Sequence, residues 1–319
     1  MLQKIVILAT GGTLAGLARD GGGYQAGQVE MAALVQQWGI GGPDWVIESR
    51  QLAQIDSKDV QAELWRCLLT EIQTSVSRPD VSGVVVTHGT DTLEETAFFL
   101  SALLDTPKPV VLTGAMRPAD DPSTDGPGNL ADAVRLAASA AVRGVCVVMS
   151  GQVHAGSQVQ KVHASDLNAL SSAPHEPIGQ MRPEGYHGLG LAARPSGVWP
   201  TLEQVQASKV WPRVECVLSH AMATPWWWPA LRHVPEGAAP VQGLVLIATG
   251  AGTWHESLDQ ALQEAVSAGL RVWVSTRCAL SRLPLAPIGQ PVAGLHSVPF
   301  TPAQARVGLM LSLITEQAS

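Results

Sequence analysis

Four stretches of branched apolar residues run without polar interruption through KIVILA (4–9), VVVT (84–87), PVVLT (109–113) and GVCVVM (144–149). A strand can carry such a run only if helices cover both faces of its sheet, because a solvated face would demand alternation. Between the runs lie helix-like patterns near 29–38, 59–75, 92–103 and 129–141. Strand and helix in alternation imply right-handed crossovers and a mostly parallel sheet. In open sheets of that kind, ligands sit outside the carboxyl ends of the strands. Two of the runs end on threonine and glycine, in ILATGGTLAG and VVVTHGTDTLEET. Thr13, Thr90 and Asp91 are thereby directed at one crevice.

A chain of 319 residues exceeds the span of one hydrophobic core. The sequence predicts an α/β protein of two domains. The larger N-terminal one (1–190) holds a doubly wound, mostly parallel sheet, and a linker (191–212) joins it to a smaller α/β domain (213–319). The stretch from about 171 to 212 is rich in Pro, Gly and His, carries no long periodic pattern, and reads as the end of the first domain plus a crossing segment. The second domain is read from strand-like runs at 214–218, 243–248 and 271–274, with helical patterns at 257–268 and 302–315. The net charge of −7 argues against nucleic acid, which needs a basic stripe. No run of 18 apolar residues is present, so no membrane span is expected. Met1 stands just before the first strand, which leaves no room for a secretory leader; a cytoplasmic location is expected. The four cysteines show no C-x-x-C and no metal-ligand spacing to histidine, and read as buried free thiols. In PWWWP (225–229) three adjacent tryptophans cannot all face one core, so at least one should be partly exposed, at an oligomer contact or in irregular local packing.

Thr92 and Glu95 have the spacing of a capping box, which accounts for both without function. Thr90 and Asp91 precede the cap and are left for chemistry or for a turn-stabilising bond. TGGTLAG is no dinucleotide loop, since a G-x-G-x-x-G would need glycine at position 13, and it lacks the P-loop lysine. Gly11 and Gly12 are expected instead to permit close backbone approach and to offer free amides. The glycine-dense stretch 16–27 suits a mobile lid carrying Tyr24, or an ordinary surface loop. In QIDSKDV (54–60), Asp56 or Ser57 reads as the N-cap of the following helix, whose start could also hold a carboxylate. A turn-rich loop after 113 carries Arg117, Asp125 and Gly126, and Lys161 has no opposite charge at helical spacing.

In their order and spacing, ATGGT, THGTDT-x-EET, GAMRP…DGP-x-NL and the isolated Lys161 resemble the bacterial-type L-asparaginase family over nearly the whole chain. The resemblance implies hydrolysis of L-asparagine to L-aspartate and ammonia without cofactor or metal, in a homodimer or homotetramer of two-domain subunits. By motif position Thr13 matches the nucleophile and Tyr24 its lid partner. Thr90, Asp91 and Lys161 match a threonine–aspartate–lysine set, and Gly12, Ser57, Gly89 and Ala115 substrate-binding positions. A carboxamide is a poor electrophile, so its hydrolysis needs a positioned nucleophile, oxyanion stabilisation and an acid for the departing ammonia. Lys161 is the candidate base; bringing a lysine from about 10.4 to near 7 costs about 4 kcal/mol. A touching Asp91 would oppose that shift. Asp91 is accordingly expected to hold the substrate's α-ammonium, and Lys161 to tune Thr90 and a bound water.

Two departures stand out. Lys58 follows Ser57 where secreted high-affinity members carry glutamine, and IDSKD is nearer the cytoplasmic type. GAGTW (250–254) replaces an asparagine-containing stretch that reaches a neighbouring subunit's site. One methylene separates asparagine from glutamine, worth only about 1–3 kcal/mol of selectivity, which leaves room for a glutaminase side activity and leaves the preference between the two open. Three alternatives remain: the ammonia-supplying subunit of a tRNA-dependent amidotransferase, a non-catalytic amino-acid-binding protein, and a relative acting on another ω-amide or a lysophospholipid.

Overall fold

A computed structural model describes residues 3–19, 21, 23–43, 45–234, 236–237, 239–284 and 292–317. The chain divides into compact units at 1–196 and 197–319. In the first unit, five strands run parallel in the spatial order Trp45–Ile55, Gln3–Gly11, Val81–Thr87, Pro109–Thr113, Gly144–Met149. Three short strands continue the sheet antiparallel: Gln152–Ala155, Gly179–Arg182 and Gly185–Gly188. Alternate residues of a strand face opposite sides. Ile5, Ile7, Val85 and Val111 bury one face against the helices Met31–Gln37 and Gly126–Ala138. Val6, Leu8, Val84 and Val86, equally buried, face the other way, where Ala62–Ser77 and Leu93–Leu103 lie against the sheet. Both faces are covered, as uninterrupted apolar strands require.

The first strand has the second on one side and the third on the other. The order therefore reverses there, opening a crevice between the ends of Gln3–Gly11 and Val81–Thr87. Thr10 Oγ1 donates to the Thr87 carbonyl at 2.9 Å and pins these two ends together.

The second unit repeats the principle on a smaller scale. Its parallel sheet runs Arg213–Leu218, Val241–Ala248, Arg271–Thr276, Leu295–Ser297. Trp227, Trp228, Leu258, Leu262 and Ala265 bury one face, and Pro302–Gln317 packs on the same sheet. Of the three tryptophans, Trp227 and Trp228 are buried and Trp226 is 72% exposed.

Several expectations are corrected. The strand Trp45–Ile55 went unread because, at the edge of the sheet, it is only half-buried and carries charge. Its Glu48 accepts from Arg50 and Arg78, whose guanidinium groups hold the carboxyl down at about 2. The segment after 171, which shows no long periodic pattern in sequence, supplies two short antiparallel strands and the helix Leu202–Ala207. Thr92 and Glu95 form no capping box. Thr92 is the N-cap residue, but its hydroxyl makes no cap bond and donates instead to the Ser57 carbonyl at 2.7 Å. Of the four cysteines, none of which is in a disulfide, Cys146 is buried and Cys67, Cys216 and Cys278 are exposed.

Candidate active site

At the reversal point, glycine permits what any side chain would block. A Cβ on Gly12 would lie 2.5 Å from both the Cα and the nitrogen of Gly89, at a φ of +75°. A Cβ on Gly89 would lie 2.6 Å from Ser57 Oγ. The two glycines thus bring the ends of two strands into backbone contact and seat buried Ser57 beside them. Thr13 follows Gly12 at the head of a single helical turn, Thr13–Ala15, and is buried. Its hydroxyl makes no hydrogen bond to another described residue. The Gly12 amide is not free as expected, since it donates to the Ile55 carbonyl at 2.9 Å.

Ser57 opens a short turn, Ser57–Asp59, capped by Asp56, and the following helix begins only at Ala62. The carboxylate site expected at that helix start therefore does not adjoin Ser57. Lys58 points outward to Asp56 and Asp59. Tyr24 is 38% exposed in a two-residue hairpin strand paired with Leu17–Ala18, and its ring lies against Gly16, where a Cβ would be 3.1 Å from Tyr24 Cδ2. The hairpin is tied down by Ala18, whose amide donates to Asp120, and by the Gly16 carbonyl, which accepts from Ala119. Asp20 and Gly22, within the expected lid, lie outside the described residues.

Thr90 and Asp91 meet Lys161 directly. Lys161 Nζ donates to Thr90 Oγ1 at 2.8 Å and to Asp91 Oδ1 at 2.6 Å. The lysine side chain is 16% exposed and the aspartate 53%, so the carboxylate stands toward solvent and the ammonium behind it. Thr90 Oγ1 in turn donates to Met116 Sδ at 3.5 Å, a weak acceptor.

Two features behind this set escaped the sequence reading. His88 is fully buried; burial pushes it down to about 4, so its ring is neutral. A carbonyl can only accept, so Nδ1–H donates to the Gly89 carbonyl at 2.8 Å. Nε2 is then an acceptor for Thr96 Oγ1 at 3.0 Å, and Thr96 itself accepts from the Trp65 indole at 2.9 Å. This chain of donors fixes the peptide that carries Thr90. On the other flank, Asp125 accepts from the Met116 and Arg117 amides and from Asn129 Nδ2. Asn129 also donates to the Gly114 carbonyl and accepts from the Ser150 amide at 2.9 Å. Buried Ala115 is held between these clamps. The D-G-P-x-N spacing was visible, but not that both polar groups turn inward. Asn129→Ala strands a buried carbonyl and amide, and we expect it to lower unfolding free energy by about 3 kcal/mol, read from urea titration.

The structure brings Gly12, Thr13, Ser57, Gly89, Thr90, Asp91 and Lys161 together, with Tyr24 and Ala115 at the margins. Among the described residues no group of histidine, cysteine, aspartate or glutamate could hold a metal ion. The reversal-point crevice thus carries two threonine hydroxyls and an ammonium, groups suited to nucleophilic and acid–base chemistry, and no phosphate loop.

Residues 4–188 match the family described as asparaginase, N-terminal. The chain is 35% identical to L-asparaginase 2 of Escherichia coli (strain K12), over 86% of this chain and 78% of that one. It is 30% identical to a glutaminase-asparaginase of Pseudomonas fluorescens biotype A, over 100% and 88%. The crystal structure of a probable cytoplasmic L-asparaginase from Campylobacter jejuni superposes with a TM-score of 0.85 at 30% identity, covering 98% of this chain and 95% of that one. The chain belongs to the asparaginase family.

Proposed function

We propose that this chain hydrolyses L-asparagine to L-aspartate and ammonia through a threonine nucleophile, Thr13. The observation that carries the reading is the contact of Lys161 Nζ with both Thr90 Oγ1 and Asp91 Oδ1, in a crevice that also holds the buried Thr13, whose hydroxyl is bonded to no other described residue. Thr13 Oγ1 attacks the carboxamide carbon and gives up its proton as the C–O bond forms. The tetrahedral oxyanion collapses with cleavage of the C–N bond; the departing nitrogen takes up that proton and leaves as ammonia. Water then adds to the resulting ester, and the Thr13–carbonyl bond breaks to release aspartate and restore the hydroxyl. Thr90, polarised by Lys161, orients that water, and Ser57 together with the Gly12 and Gly89 backbone confines the substrate. Glutamine is a secondary substrate in this reading, since the nearby relatives include a glutaminase-asparaginase. Among the described residues no helix is long and apolar enough to cross a membrane. A cytoplasmic homodimer or homotetramer is the form we propose, on the likeness to a probable cytoplasmic L-asparaginase and on the family resemblance.

The test is ammonia release by the purified chain, with no partner added, from L-asparagine and from L-glutamine. Release from neither overturns the assignment; activity only with a second protein present would favour an amidotransferase subunit. Asp91 offers its more exposed side to the α-ammonium. Loss of one charge-assisted hydrogen bond is worth about 1.5–3 kcal/mol, so Asp91→Asn should raise KM about 10- to 100-fold with kcat changed far less. A fall in kcat at unchanged KM would assign Asp91 to the chemistry instead.

A further inference from the structure

Lys161 reaches Thr90 from a separate small hairpin. It lies on a two-residue strand, Gln160–Lys161, paired with Leu170–Ser171 and outside the large sheet. Thr90 and Asp91, by contrast, immediately precede the helix Leu93–Leu103, whose buried residues anchor it in the core. One side chain joins the two bodies through the lysine's own backbone: Glu94 Oε2 accepts from the Lys161 amide at 2.7 Å.

We propose that Glu94 is a positioning residue that holds Lys161 in register with Thr90 and Asp91. The inference rests on the asparaginase reading for its catalytic consequence. Glu94 stands in the first turn of the helix that follows Asp91, so its carboxylate is fixed relative to both partners of the lysine. The ordinary reason for an acid there is the helix dipole. Glu95, in the same turn, serves the dipole equally, yet the contact with the Lys161 backbone belongs to Glu94. The tie is also strategically placed, because the Lys161 amide and Nζ are held by residues three positions apart on one rigid segment. Glu94 is half-buried and lines, with Asp91, Lys161 and His163, an open pocket of about 460 Å³, so a change of side chain is relieved into solvent rather than into the core.

Glu94→Ala releases the amide and lets Nζ drift from Thr90. A displacement on the order of 1 Å is worth about 10²-fold in rate, so kcat should fall about 10- to 100-fold with KM within about twofold. Glu94→Gln keeps an acceptor oxygen and should restore kcat to within about fivefold of the wild type. Hydrogen exchange reads the same tie without substrate: the Lys161 amide should exchange at least about 30-fold faster in Glu94→Ala and near the wild-type rate in Glu94→Gln. Should the alanine variant fail to fold, Glu94→Asp, one methylene short of the amide, replaces it with the same expected direction. Wild-type kcat in Glu94→Ala, or equal loss in the alanine and glutamine variants at unchanged Tm, would overturn the proposal. A wild-type protein inert toward asparagine would overturn the function instead, leaving the exchange rates to decide the role of Glu94.

Discussion

Thr13→Ala is expected to reduce ammonia release from L-asparagine by at least about 10³-fold in kcat while the protein stays folded, because removing a covalent nucleophile leaves only binding and oxyanion stabilisation. The separation of activity from stability follows from the local structure. The Thr13 hydroxyl is bonded to no other described residue, so its loss leaves no donor or acceptor stranded. Loss of the γ-methyl costs about 0.8 kcal/mol of buried apolar surface, which corresponds to a Tm change of a few degrees at most. Thr13→Ser keeps the oxygen and should retain measurable turnover; Thr13→Val keeps the shape and should not. A Thr90→Ala variant is expected to behave differently, since it takes away one of the two acceptors of Lys161 Nζ and the donor to Met116. Ammonia release from Thr13→Ala at the wild-type rate would end the nucleophile assignment.

The second large effect is on stability. His88 sits at about 4 in the folded protein, against about 6.5 for a free histidine, because burial disfavours its charged form. As pH falls below 6.5 the unfolded chain takes up a proton that the folded chain refuses, so this contribution is complete above 6.5 and is lost toward 4. At pH 5 the loss amounts to about 2 kcal/mol from His88 alone. His154, also buried and pushed down to about 4, with Nδ1 against Ser172 Oγ at 2.8 Å, acts in the same direction. The carboxyl of Glu48 enters only below about 4.5, so the interval from pH 7.5 to 5 isolates the histidines. Urea midpoints measured across that interval should fall steeply in the wild type and by roughly half as much in His88→Gln. That variant will be less stable at pH 7.5, since it breaks the Trp65–Thr96–His88–Gly89 chain, but the slope with pH is the diagnostic quantity. An unchanged slope would show that His88 is not its source.

What could be read along the chain and what could not follow different physics. The parallel strands from 4, 84, 109 and 144 were legible because burial on both faces leaves their central residues apolar without alternation. The placement of Thr13, Thr90 and Asp91 at one crevice was legible because strand ends in such sheets face one. The edge strand Trp45–Ile55 was not, since half-burial and its Glu48–Arg50–Arg78 network look like surface. Nor was the service of Thr92, whose capping pattern is satisfied in sequence but whose hydroxyl finds Ser57, 35 residues away.

By itself, then, the sequence determined which residue types end each strand and where glycine must stand, because those depend on local sterics and on periodic burial. Tertiary structure alone decided which strand adjoins which, and hence that Gly12 meets Gly89 at the reversal point. It also decided that Lys161, 70 residues from Asp91, closes on it at 2.6 Å. Contacts over such separations carry no periodic signal; they form because burying both faces of one sheet leaves its ends a single arrangement.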